Sequence, residues 1–158
     1  LCKLGERFAN KIVAGLQFCI SGLPYWTLDI GAFFVKPGMP WFWKGDYEGG
    51  NTDPAYRELY VRWLQYGTFL PIFRSHGTDC RREPWNFGKA GEPFYEAILS
   101  AIRLRYHLLP YIYSLAGSVY LEDETMMRPL IMDFPKDSCV ADITDEYFVL
   151  DRRFLSVR

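Results

Sequence analysis

The chain has only two histidines, His76 and His107, and its four cysteines, Cys2, Cys19, Cys80 and Cys139, never form a Cys-x-x-Cys pair. Zinc ligands usually come as close pairs, so no structural zinc site is expected. The wide spacing reads as four idle or buried thiols, which favours a reducing, cytoplasmic setting. No run approaches the roughly 18 apolar residues of a membrane span, and no basic segment followed by an apolar one opens the chain. Lys and Arg number 18 against 19 Asp and Glu, a formal charge of −1, and they are scattered. Without a basic stripe a nucleic-acid partner is not expected. Internal repeats and low-complexity tracts are also missing, which argues against a solenoid or a linker.

What the chain has in quantity is aromatic side chains. Five Trp, eleven Tyr and twelve Phe make up 18% of 158 residues, within a hydrophobic fraction of 49%. That is enough for one domain with a core. The aromatics either fill it or line a site for a flat, partly apolar ligand such as a sugar ring. Trp63 reads as core, Trp26 and Trp85 as core or loop packing, and Trp41 and Trp43 have the best claim to a ligand.

Phe8, Ile12, Val13 and Leu16 stand at helical spacing, so residues 7–16 read as the tail of a helix. Gly22-Leu-Pro-Tyr-Trp-Thr-Leu-Asp-Ile-Gly31 then reads as an apolar strand ending in Asp29. A loop rich in Gly, Pro and Trp follows, from Phe34 to Asn51, longer than compact domains usually carry without a task. Asp53 before Pro54 is a helix start, because the carboxylate accepts a free amide and proline needs no partner there. Leu59, Trp63 and Leu64 form that helix's buried stripe and Gly67 ends it.

A second apolar strand, Phe69 to Phe73, delivers Arg74 and His76 at its carboxyl end. Two apolar strands separated by a helix and each ending in a polar group fit neighbours in a parallel sheet. A polar loop follows from Asp79 to Gly88, and within it Arg81-Arg82-Glu83 reads as solvated. The longest helix starts near Pro93, and Pro110 should bend or divide it. His107 on it reads as structural or solvated. Glu122 to Glu124 read as a solvated turn, and Met126 to Pro135 as a further strand.

Four segments in this order resemble glycoside hydrolase family 31, the retaining α-glucosidases and α-xylosidases. They are residues 22–33, residues 62–78 with Phe-Arg-Ser-His-Gly-Thr at their end, Leu104-Arg-Tyr-His-Leu-Leu-Pro-Tyr-Ile-Tyr-Ser-Leu-Ala116, and Met127-Arg-Pro-Leu130. The resemblance covers roughly residues 6–148. It implies an α/β fold: the C-terminal portion of a (β/α)8 TIM barrel, strands 7 and 8 with their helices, in residues 1–125, and the start of a β-sandwich domain in 126–158.

By the same resemblance His76 would hydrogen-bond sugar hydroxyls in subsite −1, and Phe33 would form part of that subsite's wall. Asp29 would lie on the barrel's carboxyl rim and hold neighbouring groups in place. Arg74 reads equally as a ligand or as the partner of Asp29 across the two strands. The expected partner is an oligosaccharide, with no metal or organic cofactor. Retaining hydrolysis takes two carboxylates about 5–5.5 Å apart. The resemblance puts both upstream of residue 1, so the chain is expected to be inactive alone.

Two departures stand out. Ala32 occupies a position where many members have glycine, and the tail from Val149 to Arg158 replaces the family's Phe-Gly-Pro-x-Phe-Leu-Val. One codon set for the tail yields Phe-Gly-Pro-Ser-Phe-Leu-Val in a displaced frame, so residues 149–158 are compatible with a frameshift product. The competing readings are a non-catalytic carbohydrate-binding module, and a remnant that does not fold stably because barrel strands are left unpaired.

Overall fold

The computed structural model describes residues 3–38, 45–144, 146–149 and 154–156. Trp41 and Trp43, expected nearest a ligand, lie outside the described residues, as do positions 150–153 of the tail. The order of elements is helix α1 (Lys3–Ile20), α2 (Pro54–Gly67), α3 (Pro93–Glu122), strand β1 (Met127–Pro129), the short helix α4 (Leu130–Asp133), β2 (Glu146–Val149) and β3 (Phe154–Ser156).

Helix α1 extends beyond the predicted 7–16 at both ends. It buries Ile12, Leu16 and Cys19, spaced four and three apart so that they share one face. It stops because Gly22 adopts a left-handed φ of 83°. That turn lets the Gly22 amide bond to the Cys19 carbonyl (3.2 Å) and the Leu23 amide to the Phe18 carbonyl (3.0 Å), satisfying carbonyls the helix leaves open.

Helix α2 begins as the sequence predicts. The Asp53 carboxylate accepts from the Ala55 amide at 2.9 Å and the Tyr56 amide at 3.5 Å, and Pro54 needs no partner. Its inner face is wider than the predicted stripe and is mostly tyrosine: Tyr56, Tyr60 and Tyr66 are buried with Trp63 and Leu64. Phe8 of α1 meets Trp63 and Tyr66 edge-on, with centroids 5.5 and 5.7 Å away, a geometry that sets a positive ring edge on a negative face.

Helix α3 packs on α2. It runs unbroken through Pro110, which the sequence reading expected to bend or divide it. Pro110 and Tyr106 both lie on the exposed face, so water can satisfy the Tyr106 carbonyl that loses its amide partner. On the opposite face Arg105 is buried. Its guanidinium donates to the carbonyls of Thr68 (3.0 Å), Leu70 and Pro71 (2.9 Å), and its Cζ lies 5.7 Å from the centre of the Phe73 ring. A cation thus ties α3 to the connection leaving α2.

The two expected strands take a different form. Residues 23–29 belong to neither a helix nor a strand ladder, and Phe69 and Leu70 still turn back on α2, their amides bonding to the Tyr66 and Gly67 carbonyls. The second segment straightens only near Phe73. The two run parallel and meet at one bridge, Ile30 with Ser75. Pro24 and Pro71 bring no amide, and side-chain hydroxyls fill in: Thr27 Oγ1 donates to the Ile72 carbonyl at 2.9 Å and Ser75 Oγ to the Ile30 carbonyl at 3.1 Å. Backbone bonds from Ile72 to Trp26 (3.3 Å) and from Thr78 to Phe33 (3.1 Å) mark the two ends of the contact.

The third expected strand, Met126 to Pro135, is also shorter. β1 covers three residues, after which α4 begins. Arg128 explains the reversal: it bonds Glu124 on one side and Asp133 on the other, which pulls the chain into a tight fold. Glu124 is therefore half of an ion pair and not just part of a solvated turn. β1, β2 and β3 form an antiparallel sheet in sequence order, with Arg128 opposite Phe148 and Tyr147 opposite Leu155. One core cluster runs from Ile12 to Tyr147, and Tyr147 meets Tyr66 edge-on at 6.4 Å.

Candidate carbohydrate site

The parallel contact between residues 23–33 and 72–78 places their polar ends side by side. At the end of the first segment the Ala32 amide bonds back to the Asp29 carbonyl at 2.9 Å, closing a turn. Gly31 occupies that turn with φ 90°, against the rings of Tyr60 and Tyr56; a Cβ there would come within 2.5 Å of Tyr60. Tyr56 Oη donates to the Gly31 carbonyl at 2.8 Å. Ala32 itself adopts φ 65°, a left-handed value in which its Cβ is crowded. The turn is thus held from below by α2, and it throws Phe33 forward.

Asp29 and Arg74 form an ion pair across the two segments. Both are partly exposed, so the pair stabilises the fold by less than about 1 kcal/mol and serves mainly to fix the two side chains. Beside it lies a cavity of about 680 Å³ whose walls include Trp26, Asp29, Phe33, Trp63 and Arg74, with Lys11 from α1. This volume lies within the ordinary range for small-molecule pockets, and a wall that sets the aromatic rings of Trp26, Phe33 and Trp63 among charged and polar groups, Arg7, Asn10, Lys11, Asp29 and Arg74, suits a sugar ring with its hydroxyls. Gly15 lets Trp26 approach α1, since a Cβ there would strike the indole.

His76 lines a neighbouring polar hollow of about 530 Å³ formed by residues 75–83. Its ring lies 5.3 Å from that of Phe33, inclined by 52°, so Phe33 separates the hollow from the larger cavity. The structure therefore brings Asp29, Phe33 and Arg74 to one cavity and sets His76 beside Phe33, one step away.

The polar loop after His76, whose Arg81-Arg82-Glu83 the sequence reads as solvated, is built into this arrangement. Asp79 Oδ2 accepts from the amides of Val35 (2.7 Å) and Lys36 (2.6 Å), anchoring the chain just beyond Phe33. Arg82 turns inward and donates to the Ala32 and Cys80 carbonyls. Tyr60 Oη donates to the Arg82 carbonyl at 3.1 Å and lies 3.0 Å from Ser75 Oγ. Burial pushes the Tyr60 phenol up from its ordinary value, so it stays a neutral donor. Sequence reasoning missed Asp79 and Arg82, because polar residues in a loop carry no periodic signal, and it missed Tyr56 and Tyr60, which lie four apart on α2 and could have been read as part of its buried face. It also missed Lys11, whose spacing from Arg7 and Ala14 could have marked a second, polar face of α1.

No group of three or more His, Cys, Asp or Glu among the described residues could hold a metal ion. Among the described residues Asp29 is the only carboxylate on the larger cavity. It is engaged by Arg74, and Asp79 by two amides, so neither is placed to act as one of a free pair.

This chain belongs to glycoside hydrolase family 31: residues 5–115 match the TIM-barrel domain of the family. It is 48% identical over 137 residues to an α-xylosidase of Saccharolobus solfataricus, covering 87% of this chain and 17% of that protein. It is 39% identical over 141 residues to α-xylosidase A of Aspergillus niger, covering 83% and 18%. In structure it matches the family 31 α-xylosidase of Xanthomonas citri with a TM-score of 0.81 at 42% identity, covering 96% of this chain and 16% of the other. A Flavobacterium johnsoniae dextranase of the same family, in complex with glucose, matches with a TM-score of 0.79 at 30% identity, covering 97% and 17%. The chain thus spans less than a fifth of the length of these relatives.

Proposed function

We propose that this chain supplies part of subsite −1 of a retaining α-glycosidase that removes terminal α-linked glucose or xylose from oligosaccharides. In this reading the two parallel segments are barrel strands 7 and 8, residues 1–125 belong to the barrel, and residues 126–158 open a β-sandwich. His76 donates to sugar hydroxyls, Phe33 forms a wall, and the Asp29–Arg74 pair holds the rim. The observation that carries the reading is the shared rim: an ion pair, Phe33 and a histidine stand toward the carboxyl ends of neighbouring parallel segments, where barrel enzymes bind substrate, beside a cavity that continues along the first segment to α1. The α-xylosidases among the relatives and the glucose complex of the dextranase support the substrate class.

The family resemblance implies that the nucleophile and the acid/base lie upstream of these residues, and it is consistent with this that, among the described residues, the larger cavity carries one carboxylate, Asp29, paired with Arg74. The polypeptide alone should therefore bind a monosaccharide weakly and hydrolyse nothing. Ligand-observed saturation transfer with xylose and with glucose, beside a hydrolysis assay on aryl α-xyloside and α-glucoside, tests both halves. His76→Ala should weaken sugar binding about tenfold, the scale of one or two lost hydrogen bonds. Hydrolysis by the chain, or sugar binding untouched by His76→Ala, would overturn the reading.

A further inference from the structure

We propose that Arg82 is a positioning residue for the sugar site: it holds Phe33 and His76 at their mutual distance without touching the sugar. The inference rests on the reading of the site given above, and it adds a residue that the sequence places in a solvated loop.

Phe33 follows a turn whose last residue, Ala32, stands at φ 65°. Such a residue needs its surroundings to keep it there. His76 follows Ser75, the one bridge residue of the second segment, and precedes Gly77 in a stretch with no further backbone pairing until Thr78 bonds to the Phe33 carbonyl at 3.1 Å. Neither ring is held by regular structure. The Thr78 bond and the Asp79 carboxylate on the Val35 and Lys36 amides hold the chain after each ring, which leaves the Ala32 side of Phe33 and the 5.3 Å between the rings to a further contact.

The Arg82 guanidinium supplies that contact through the backbone beside each ring. One arm donates to the Ala32 carbonyl, immediately before Phe33, and the other to the Cys80 carbonyl. The guanidinium lies against Gly77, immediately after His76, and a Cβ at Gly77 would overlap it. A planar fork is suited to this task because two donors in fixed geometry bridge two acceptors, which a lysine ammonium does less well. The backbone of Arg82 is fixed in turn, since its carbonyl accepts from Tyr60, a buried residue stacked on Phe87 with centroids 4.2 Å apart. Arg82 is thus anchored on α2 and the 84–86 turn, and it clamps the carbonyl before one site ring and the glycine after the other.

The experiment uses the full chain without ligand and reads the nuclear Overhauser contact between the Phe33 and His76 rings, with the His107 imidazole as internal reference. Arg82→Ala should abolish the contact and move the His76 resonances while those of His107 and the helical circular dichroism stay as in the parent chain. Arg82→Lys, the milder change, should retain the fold and leave the contact at about half its intensity or less. An undiminished contact in Arg82→Lys together with unmoved His76 resonances in Arg82→Ala would overturn the proposal; should Arg82→Ala not fold, the lysine variant decides alone. Xylose is then added to each folded chain. Failure of the parent chain to bind would count against the sugar site itself and not against the clamp, which the ligand-free contact has already tested.

Discussion

At the scale of residues, the site consists of side chains held by backbone groups. The Asp29–Arg74 pair was legible as one of two alternatives, because both residues end apolar segments expected to lie side by side. Arg82, Asp79 and Arg105 were not legible, since their partners are carbonyls and amides of loops, and the sequence does not say where such groups will be. Arg105 is the strongest case: a buried cation that satisfies the carbonyls of Thr68, Leu70 and Pro71, with its pKa pushed down by burial. Arg105→Met should cost about 3 kcal/mol in chemical denaturation, because buried acceptors are left without donors. Ala32 gives the opposite sign. Ala32→Gly relieves a left-handed Cβ and should raise stability by about 0.5–1 kcal/mol after the entropic cost of glycine is deducted.

At the scale of elements, helices were legible and strands were not. The start of α2 could be read because Asp53 and Pro54 act within one turn, and its end because Gly67 stops the periodic pattern. Asp53→Ala should lower stability by about 1 kcal/mol, measured by thermal or urea unfolding, since two amides of the first turn lose their acceptor. The strands depend on pairing with neighbours, which apolar content cannot locate. The segment expected at Phe69 to Phe73 straightens later because its first residues cap α2, and the one expected from Met126 to Pro135 stops at Pro129 because the Arg128 ion pairs fold it back. Even so, the polar ends of the two parallel segments lie side by side, as their order in the sequence suggested.

At the scale of the whole molecule, one core joins α1, α2, α3, β1 and β2, so the chain should behave as a folded unit. Cys19 is buried, Cys80 half-buried and Cys139 exposed, and burial pushes the thiols of Cys19 and Cys80 up. Among these three described cysteines a thiolate-directed reagent at neutral pH should therefore modify Cys139 first, Cys80 next and Cys19 only on unfolding; equal rates would mean that the core does not form. Burial also raises Tyr56, Tyr60, Tyr66 and Tyr147. Acids whose folded pKa is raised lend their full stability below the ordinary value and lose it as pH climbs from that value toward the raised one. Stability should thus be insensitive to these groups at neutral pH and fall above the ordinary thiol and phenol values, about 8.5 and about 10, with phenolate absorbance and helix loss changing together. The central claim is that the rim around Phe33 and His76 receives a sugar, and the two histidines make it directly measurable. In a titration of the full chain with xylose, the His76 imidazole resonances should shift and saturate while those of His107, exposed on α3, stay in place. Equal movement of both, or of neither, would contradict the account.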